Sequence, residues 1–225
     1  MGLNVVDKID NAVKVNHVLL SVSDKQGLDT FVPRLMQVNP GIQFLSTGGT
    51  YQRLKEIIGE KWSVSLKQVS EYTGQPETQG GLVKTLDFKI YLGLLTETYN
   101  DAHKGDLSRT NSLPIDMVVV NLYPFKETIS RQGVTPEQAR GNIDIGGPCM
   151  IRASAKNFIR VASVVDPGDY DMIGAEMEKN DGYTSLELRF RLAQKAFGHT
   201  AEYDRTIADF LASKNAAEVK DCYGV

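Results

Sequence analysis

Hydrophobic positions follow two different periods along this chain. "VNHVLLSV", residues 15–22, is a short and nearly continuous apolar run, as expected of a buried strand. Downstream, Leu28, Phe31, Val32, Leu35 and Met36 recur at helical spacing and predict a helix with one inward face. Ser23, with Gln26 three residues on, predicts its cap, and Pro33 predicts a kink or restart inside it. "GIQFLS" reads as a second strand. "TYQRLKEIIG" reads as a second helix, with Leu54, Ile57 and Ile58 inward and Gly59 as its stop. "WSVSLKQV" alternates, with Trp62, Val64 and Leu66 on one side, and predicts another strand. "SEYTGQPETQGGLVKTLDFK" is rich in turn formers and reads as a functional loop with one helical turn; "NDAHKGDLSRTNSLP" reads as a surface loop. "IDMVVVNL" and "IRVASVV" predict further buried strands. Thr135, Pro136 and Gln138 open a short helix, and "NIDIGG" turns into the helix "PCMIRASAKNF". Thr184 with Glu187 predicts the start of a helical tail that runs to about Leu211 and breaks near Gly198.

Strands alternating with helices predict an α/β fold: a parallel sheet with helices on both faces, in three layers, plus a helical C-terminal extension at about 184–213. A length of 225 residues suits one sizeable domain, expected over 15–225, with order beginning near Val15. Hydrophobic content of 41% and a net charge of −3 signal neither disorder nor a nucleic-acid surface. No apolar run is long enough to span a bilayer, and the first residues lack the basic and apolar regions of a signal peptide. A cytoplasmic protein without nucleic-acid or membrane partners is therefore expected. The two cysteines, Cys149 and Cys222, have no metal-site spacing, and a disulfide between them is not expected. Cys149 reads as a small core residue, because His17, His103 and His199 stand in no spacing that would partner a nucleophile.

The candidate chemistry gathers at strand ends. In open α/β sheets, ligands sit beyond the carboxyl ends of the strands. "LSTGGT" lies at such an end, where a helix start presents unpaired amides and glycines let the backbone approach a ligand. Ser46, Thr47 and Thr50 add hydroxyls around Gly48 and Gly49, a combination that suits a phosphate as well as a plain capped turn. "SVSDK" brings Ser21, Ser23 and Lys25 to a neighbouring junction. "LVKTLDFK" carries Lys84 and Thr85, "NLYPF" carries Asn121 and Tyr123, and "NIDIGG" carries Asp144, Gly146 and Gly147, with Lys156 following in "SAKN". Singly, each has a bland alternative: a core aromatic, a structural turn, a solvated lysine. Together they predict one polar rim.

These motifs, with "SEYTG" and "RLAQKAFGHTAEYD", run in order from about Val18 to about Leu211. The chain closely resembles the IMP cyclohydrolase domain of the bifunctional purine-biosynthesis enzyme. The resemblance implies a methylglyoxal-synthase-like fold and the last step of IMP synthesis, in which the formylated aminoimidazole carboxamide ribonucleotide closes with loss of water. It also implies a homodimer, no metal and no cofactor. By the resemblance, Lys84 and Tyr123 face the formyl oxygen, and Asp144 and Lys156 act on the carboxamide and its proton. Ser21, Ser23, Lys25, Ser46, Thr47, Gly48, Gly49, Thr50 and Thr85, with Asn121, Gly146 and Gly147, hold the rest of the nucleotide.

The chain departs from the family pattern "GRVKTLHP" and the histidine that follows it. Leu82 stands at the arginine position, Asp87 and Tyr91 at the two histidines, and Phe88 at the proline. Leucine has no forked donors for a phosphate. The family's formyltransferase domain is not in this sequence, so a separate formyltransferase partner is expected. Two alternatives stand beside the cyclohydrolase: a regulatory domain that binds a phosphorylated ligand without turnover, and a methylglyoxal-synthase-like enzyme.

Overall fold

The structure, a computed structural model, describes residues 5–75 and 85–224. The chain runs β1 (Ala12–Lys14), β2 (His17–Val22), α1 (Leu28–Val38), β3 (Gln43–Ser46), α2 (Gly48–Ile58), α3 (Trp62–Ser65), β4 (Leu66–Gln68), α4 (Val69–Thr73), α5 (Phe88–Leu95) and α6 (Asp101–Arg109). It continues with β5 (Met117–Asn121), α7 (Phe125–Ile129), α8 (Pro136–Gly141), α9 (Gly146–Lys156), β6 (Ala162–Val164), α10 (Tyr170–Lys179), β7 (Tyr183–Ser185), α11 (Leu186–Ala212) and α12 (Ala216–Tyr223). Five strands form a parallel sheet in the order β4-β3-β2-β5-β6, and β1 pairs antiparallel with β7 beside it.

The period of two along β2 sends its side chains into two cores. Val18, Leu20 and Val22 meet Phe31, Leu35, Leu54, Ile173 and Met177, so α1, α2 and α10 cover one face. Leu19 joins Val118, Val120, Ile90, Ile151 and Ala196, so α5, α9 and α11 cover the other. The three-layer expectation is met. The bottom edge of the sheet is tied by Asp116. Its carboxylate accepts from the amides of Asn16 and His17 and pairs at 2.9 Å with buried Arg160.

Several local expectations are corrected. Order begins before Val15, because β1 pairs with β7. Ser23 does not cap α1; the helix starts after Gly27, whose φ of 76° no β-carbon favours, and residues 23–26 are left as a loop. Pro33 neither ends nor restarts α1, since buried Leu28, Phe31, Val32 and Leu35 hold the whole helix against the core. Trp62 and Val64 are not in a strand: the turn after α2 continues into α3, leaving Val64 exposed and β4 only three residues long. The segment expected as a surface loop contains α6, which buries no residue; the Asn100 side chain caps it, and pairs such as Lys104–Asp101 and Arg109–Asp106 lace its surface. Thr184 lies in β7, and Ser185 caps α11 instead. That helix runs 27 residues without a break at Gly198. The capping box at Thr135 and Gln138 is present. Both cysteines are free, and Cys149 is half-buried rather than core. No helix among the described residues is long and apolar enough to cross a membrane.

Candidate functional site

Strand order decides what can meet. β2 lies between β3 and β5, in a register that sets Leu20 against Ser46 and Val22 against Asn121. The loops that leave these three strands therefore open side by side on one edge of the sheet. A cavity of about 730 Å³ lies there. Ser21, Ser23, Lys25, Thr47, Gly48, Gly49 and Thr50 form one wall. Thr85, Asn121, Tyr123, Asp144, Gly146 and Gly147 form much of the other.

The first wall is braced by polar side chains from both sides of the cavity. The hydroxyls of Ser21 and Thr47 lie 2.9 Å apart. Thr50 Oγ1 accepts from the Val22 amide and donates to the Val22 carbonyl, both at 3.0 Å. Asn121 Oδ1 accepts from the amides of Ser23 and Asp24, while its Nδ2 donates to the Asp24 carbonyl. Asn121 is thus a clamp on the loop after β2. Ser46, fully buried, donates to the Leu20 carbonyl and does not line the cavity. Lys25 Nζ reaches back to the Ser23 carbonyl at 3.3 Å, and it would lie 3.9 Å from a β-carbon placed on Gly49. It stands over the start of α2, whose first amides face outward.

The second wall turns on Asp144. Oδ1 accepts from the Gly147 amide at 3.1 Å, and a β-carbon on Gly147 would lie 2.4 Å from Oδ2. Gly147 is therefore needed for close approach rather than for its φ. Burial pushes the Asp144 carboxyl above the usual carboxylate range, against the pull of the Gly147 and Gly146 amides at the start of α9. Thr85 Oγ1 lies within 2.6 Å of where a Gly146 β-carbon would be, so Thr85 packs on the same turn. Tyr123 stands exposed on the lip. Substituting Gly147 with alanine should push the Asp144 carboxylate aside. Turnover of whatever ligand the cavity acts on should drop about tenfold or more, and the melting temperature should fall by a few degrees, because the same β-carbon would lie 2.7 Å from Leu122 Cδ2; crystal coordinates of Gly147→Ala with Asp144 unmoved would contradict this.

The other residues singled out in the sequence are placed differently, or not at all. Lys84 and Leu82 fall outside the described residues. Lys156 is exposed at the C-terminal end of α9, ten residues or about 15 Å along the helix from Gly146, and it does not line the cavity. Asp87 is buried as the cap of α5, where its Oδ1 accepts from the Lys89 amide, a task that suits aspartate. Phe88 follows as the first helical residue, exposed. Neither Asp87 nor Tyr91 lines the cavity.

The MGS-like domain model matches residues 28–149, more than half of the chain. The chain belongs to the MGS-like family. In this MGS-like chain the matched segment holds most of the cavity, and a second model, that of the AICARFT/IMPCHase bienzyme, matches residues 154–223, the tail. Proteins named "Bifunctional purine biosynthesis protein PurH" are similar across both segments. The one from Thermoanaerobacter sp. (strain X514) is 50% identical over 89% of this chain, and the one from Synechococcus sp. (strain CC9605) is 46% identical over the same share. The chain spans 38% and 37% of their lengths. The crystal structure of ForH is 30% identical with a TM-score of 0.76, covering 88% of this chain and 97% of that one. The family resemblance carried by the motifs is thus borne out.

Motif reasoning missed Tyr203, on α11, whose hydroxyl accepts from the Asp144 amide at 2.8 Å. Its tail motif was visible, but only the packing of α11 on α9 connects it to the cavity. The apolar lining from Ile143, Ile145 and Met150 was also unmarked, since nothing in a turn sequence says which side chains face inward.

Proposed function

We propose that this chain is an IMP cyclohydrolase, closing the formylated aminoimidazole carboxamide ribonucleotide to IMP. The observation that carries the proposal is that Asp144 and Tyr123 share one cavity with Lys25 and the glycine-rich start of α2. A nucleotide needs both a phosphate end and a reacting end, and this cavity offers them on opposite walls.

At the phosphate end, the amides around Gly48 and Gly49, the hydroxyls of Ser21 and Thr47, and the ammonium of Lys25 favour an anion. At the other end, the carboxamide nitrogen forms a bond to the formyl carbon on the same molecule, and the formyl oxygen departs as water with one proton from that nitrogen and one from the formamide nitrogen, which ends double-bonded to the same carbon. Holding both arms in contact removes much of the entropic barrier. Asp144 takes the proton from the nitrogen; its raised pKa makes it a better base than an exposed carboxylate. Tyr123 donates to the formyl oxygen as charge develops on it. Lys84, one residue before Thr85, is assigned to the same oxygen. No part is given to Lys156 within a single chain. A homodimer in the cytoplasm, supplied by a formyltransferase partner, is the proposed setting.

Lys25→Ala should raise the KM for the ribonucleotide and weaken IMP binding by about 10- to 100-fold, in keeping with the loss of one charge-assisted contact to a phosphate. The effect on kcat should be much smaller. A variant with unchanged KM and lowered kcat would remove Lys25 from the phosphate site. The enzyme itself is tested by following ring closure spectrophotometrically with the formylated substrate. IMP binding without turnover would select the regulatory reading instead. That reading draws on the departures at Leu82, Asp87 and Tyr91, but Asp87 has a structural duty as a helix cap and lies outside the cavity. The match of the tail to the bienzyme model favours ring closure over a methylglyoxal synthase.

A further inference from the structure

We infer that Tyr203 is a positioning residue for the reacting end of the cavity, setting the Asp144 turn against the Tyr123 loop from outside both. The inference rests on the cyclohydrolase reading for its consequence, not for its geometry. Asp144 is held from two sides. Its carboxylate faces the first turn of α9, through the Gly147 amide. Its own amide points the other way and donates to Tyr203 Oη at 2.8 Å. No hydroxyl or carbonyl from the turn itself serves that amide among the described residues; the acceptor comes from a helix 59 residues further along.

The same side chain also grips the neighbouring loop. The Tyr203 ring meets Phe125 edge-on, with centroids 6.2 Å apart and planes at 69°. Phe210, two turns further on the same face of α11, meets Phe125 at 6.0 Å and 87°. Phe125 is buried, two residues after Tyr123, and opens α7. Tyr203 therefore touches the backbone of one candidate catalytic group and the buried anchor of the other. It is itself nearly buried, at 9% exposure, and does not line the cavity, so it acts through these two loops rather than on a ligand. Fixing two loops from a long helix supplies rigidity that a short turn between helix ends with glycines at 141, 146 and 147 cannot supply for itself.

Tyr203→Phe keeps the ring on Phe125 and removes only the hydroxyl acceptor. The melting temperature should stay close to that of the parent protein. kcat for ring closure should fall between about 10- and 100-fold, as expected when a reacting group is misplaced by a fraction of an ångström to an ångström. KM should stay within about twofold, because the phosphate wall is untouched. In an Asp144→Asn background the same change should cost almost nothing further, since the two side chains act as one unit. Amide hydrogen exchange at Asp144 should accelerate in Tyr203→Phe. A parental kcat in Tyr203→Phe, a full additional loss in the Asp144→Asn background, or a raised KM at constant kcat would each overturn the inference. If the parent protein itself fails to close the ring, the cyclohydrolase reading falls. Exchange at the Asp144 amide then decides alone: unchanged exchange in Tyr203→Phe overturns the positioning role, and faster exchange supports it.

Discussion

Asp144→Asn should abolish most ring closure while leaving the protein folded and able to bind IMP. Removing a positioned general base typically costs about 10²- to 10⁴-fold in turnover. Asparagine keeps the oxygen that accepts from the Gly147 amide, so the turn should hold its shape. Stability should not fall. The folded carboxyl has a pKa above its unfolded value, so the folded state holds that proton more tightly. Ionised Asp144 therefore costs stability above the folded pKa, and the cost disappears as pH falls below the unfolded value. Asparagine removes the cost at neutral pH, and an equal or slightly higher melting temperature is expected. Turnover of the parent protein should decline with falling pH through the raised pKa, because the ionised form is the base. A near-parental kcat in Asp144→Asn, measured with saturating substrate, would remove Asp144 from the chemistry.

Arg189→Met should be the most destabilising single change in the tail. Arg189 is fully buried, and its guanidinium donates to the carbonyls of Asp10, Asn11, Phe158, Ile159 and Thr184. Burial pulls its pKa down to about 10, which still leaves it charged at neutral pH. Methionine fills much of the volume but strands several carbonyls, each worth about 1–3 kcal/mol when buried and unpaired. Some of these will find water, so a total of about 3–5 kcal/mol is expected. For a chain of this size that corresponds to a drop of roughly 10 °C in melting temperature. Lysine at the same position, with fewer donors in no fixed fork, should recover only part of it. A thermal melt that moves by less than about 3 °C for Arg189→Met would show that the carbonyl cluster contributes little.

These two residues mark the two ends of what could be read from the chain. Asp144 could be singled out because its motif is contiguous: "NIDIGG", with the carboxylate two residues before a glycine pair at a helix start, is one of the stretches that carry the family resemblance. Arg189 was not legible. An arginine between Leu188 and Phe190 on a helix looks like a solvent-facing charge until the folded chain brings five carbonyls around it.

The same contrast runs through the rim. Ser21, Thr47, Gly48 and Gly49 could be picked out as a candidate ligand wall from their place between strand and helix, and they line the cavity. Ser46, Thr50 and Asn121 have the same residue types at the same junctions, yet their side chains tie strands and loops together. Residue type cannot separate the two roles, because a hydroxyl that braces a loop and one that faces a ligand have the same chemistry. Only its direction differs.

By itself, the sequence determined the layer architecture, the location of the cavity at the strand ends and the family. These follow from periodicity and contiguous motifs, which act over a few residues. The tertiary structure alone decided that Ser23 leaves α1 uncapped, that α11 runs unbroken past Gly198, and that Tyr203 holds Asp144. Those outcomes depend on which elements pack together across the sheet, and that is set by the summed burial of both cores rather than by the preferences of any one segment.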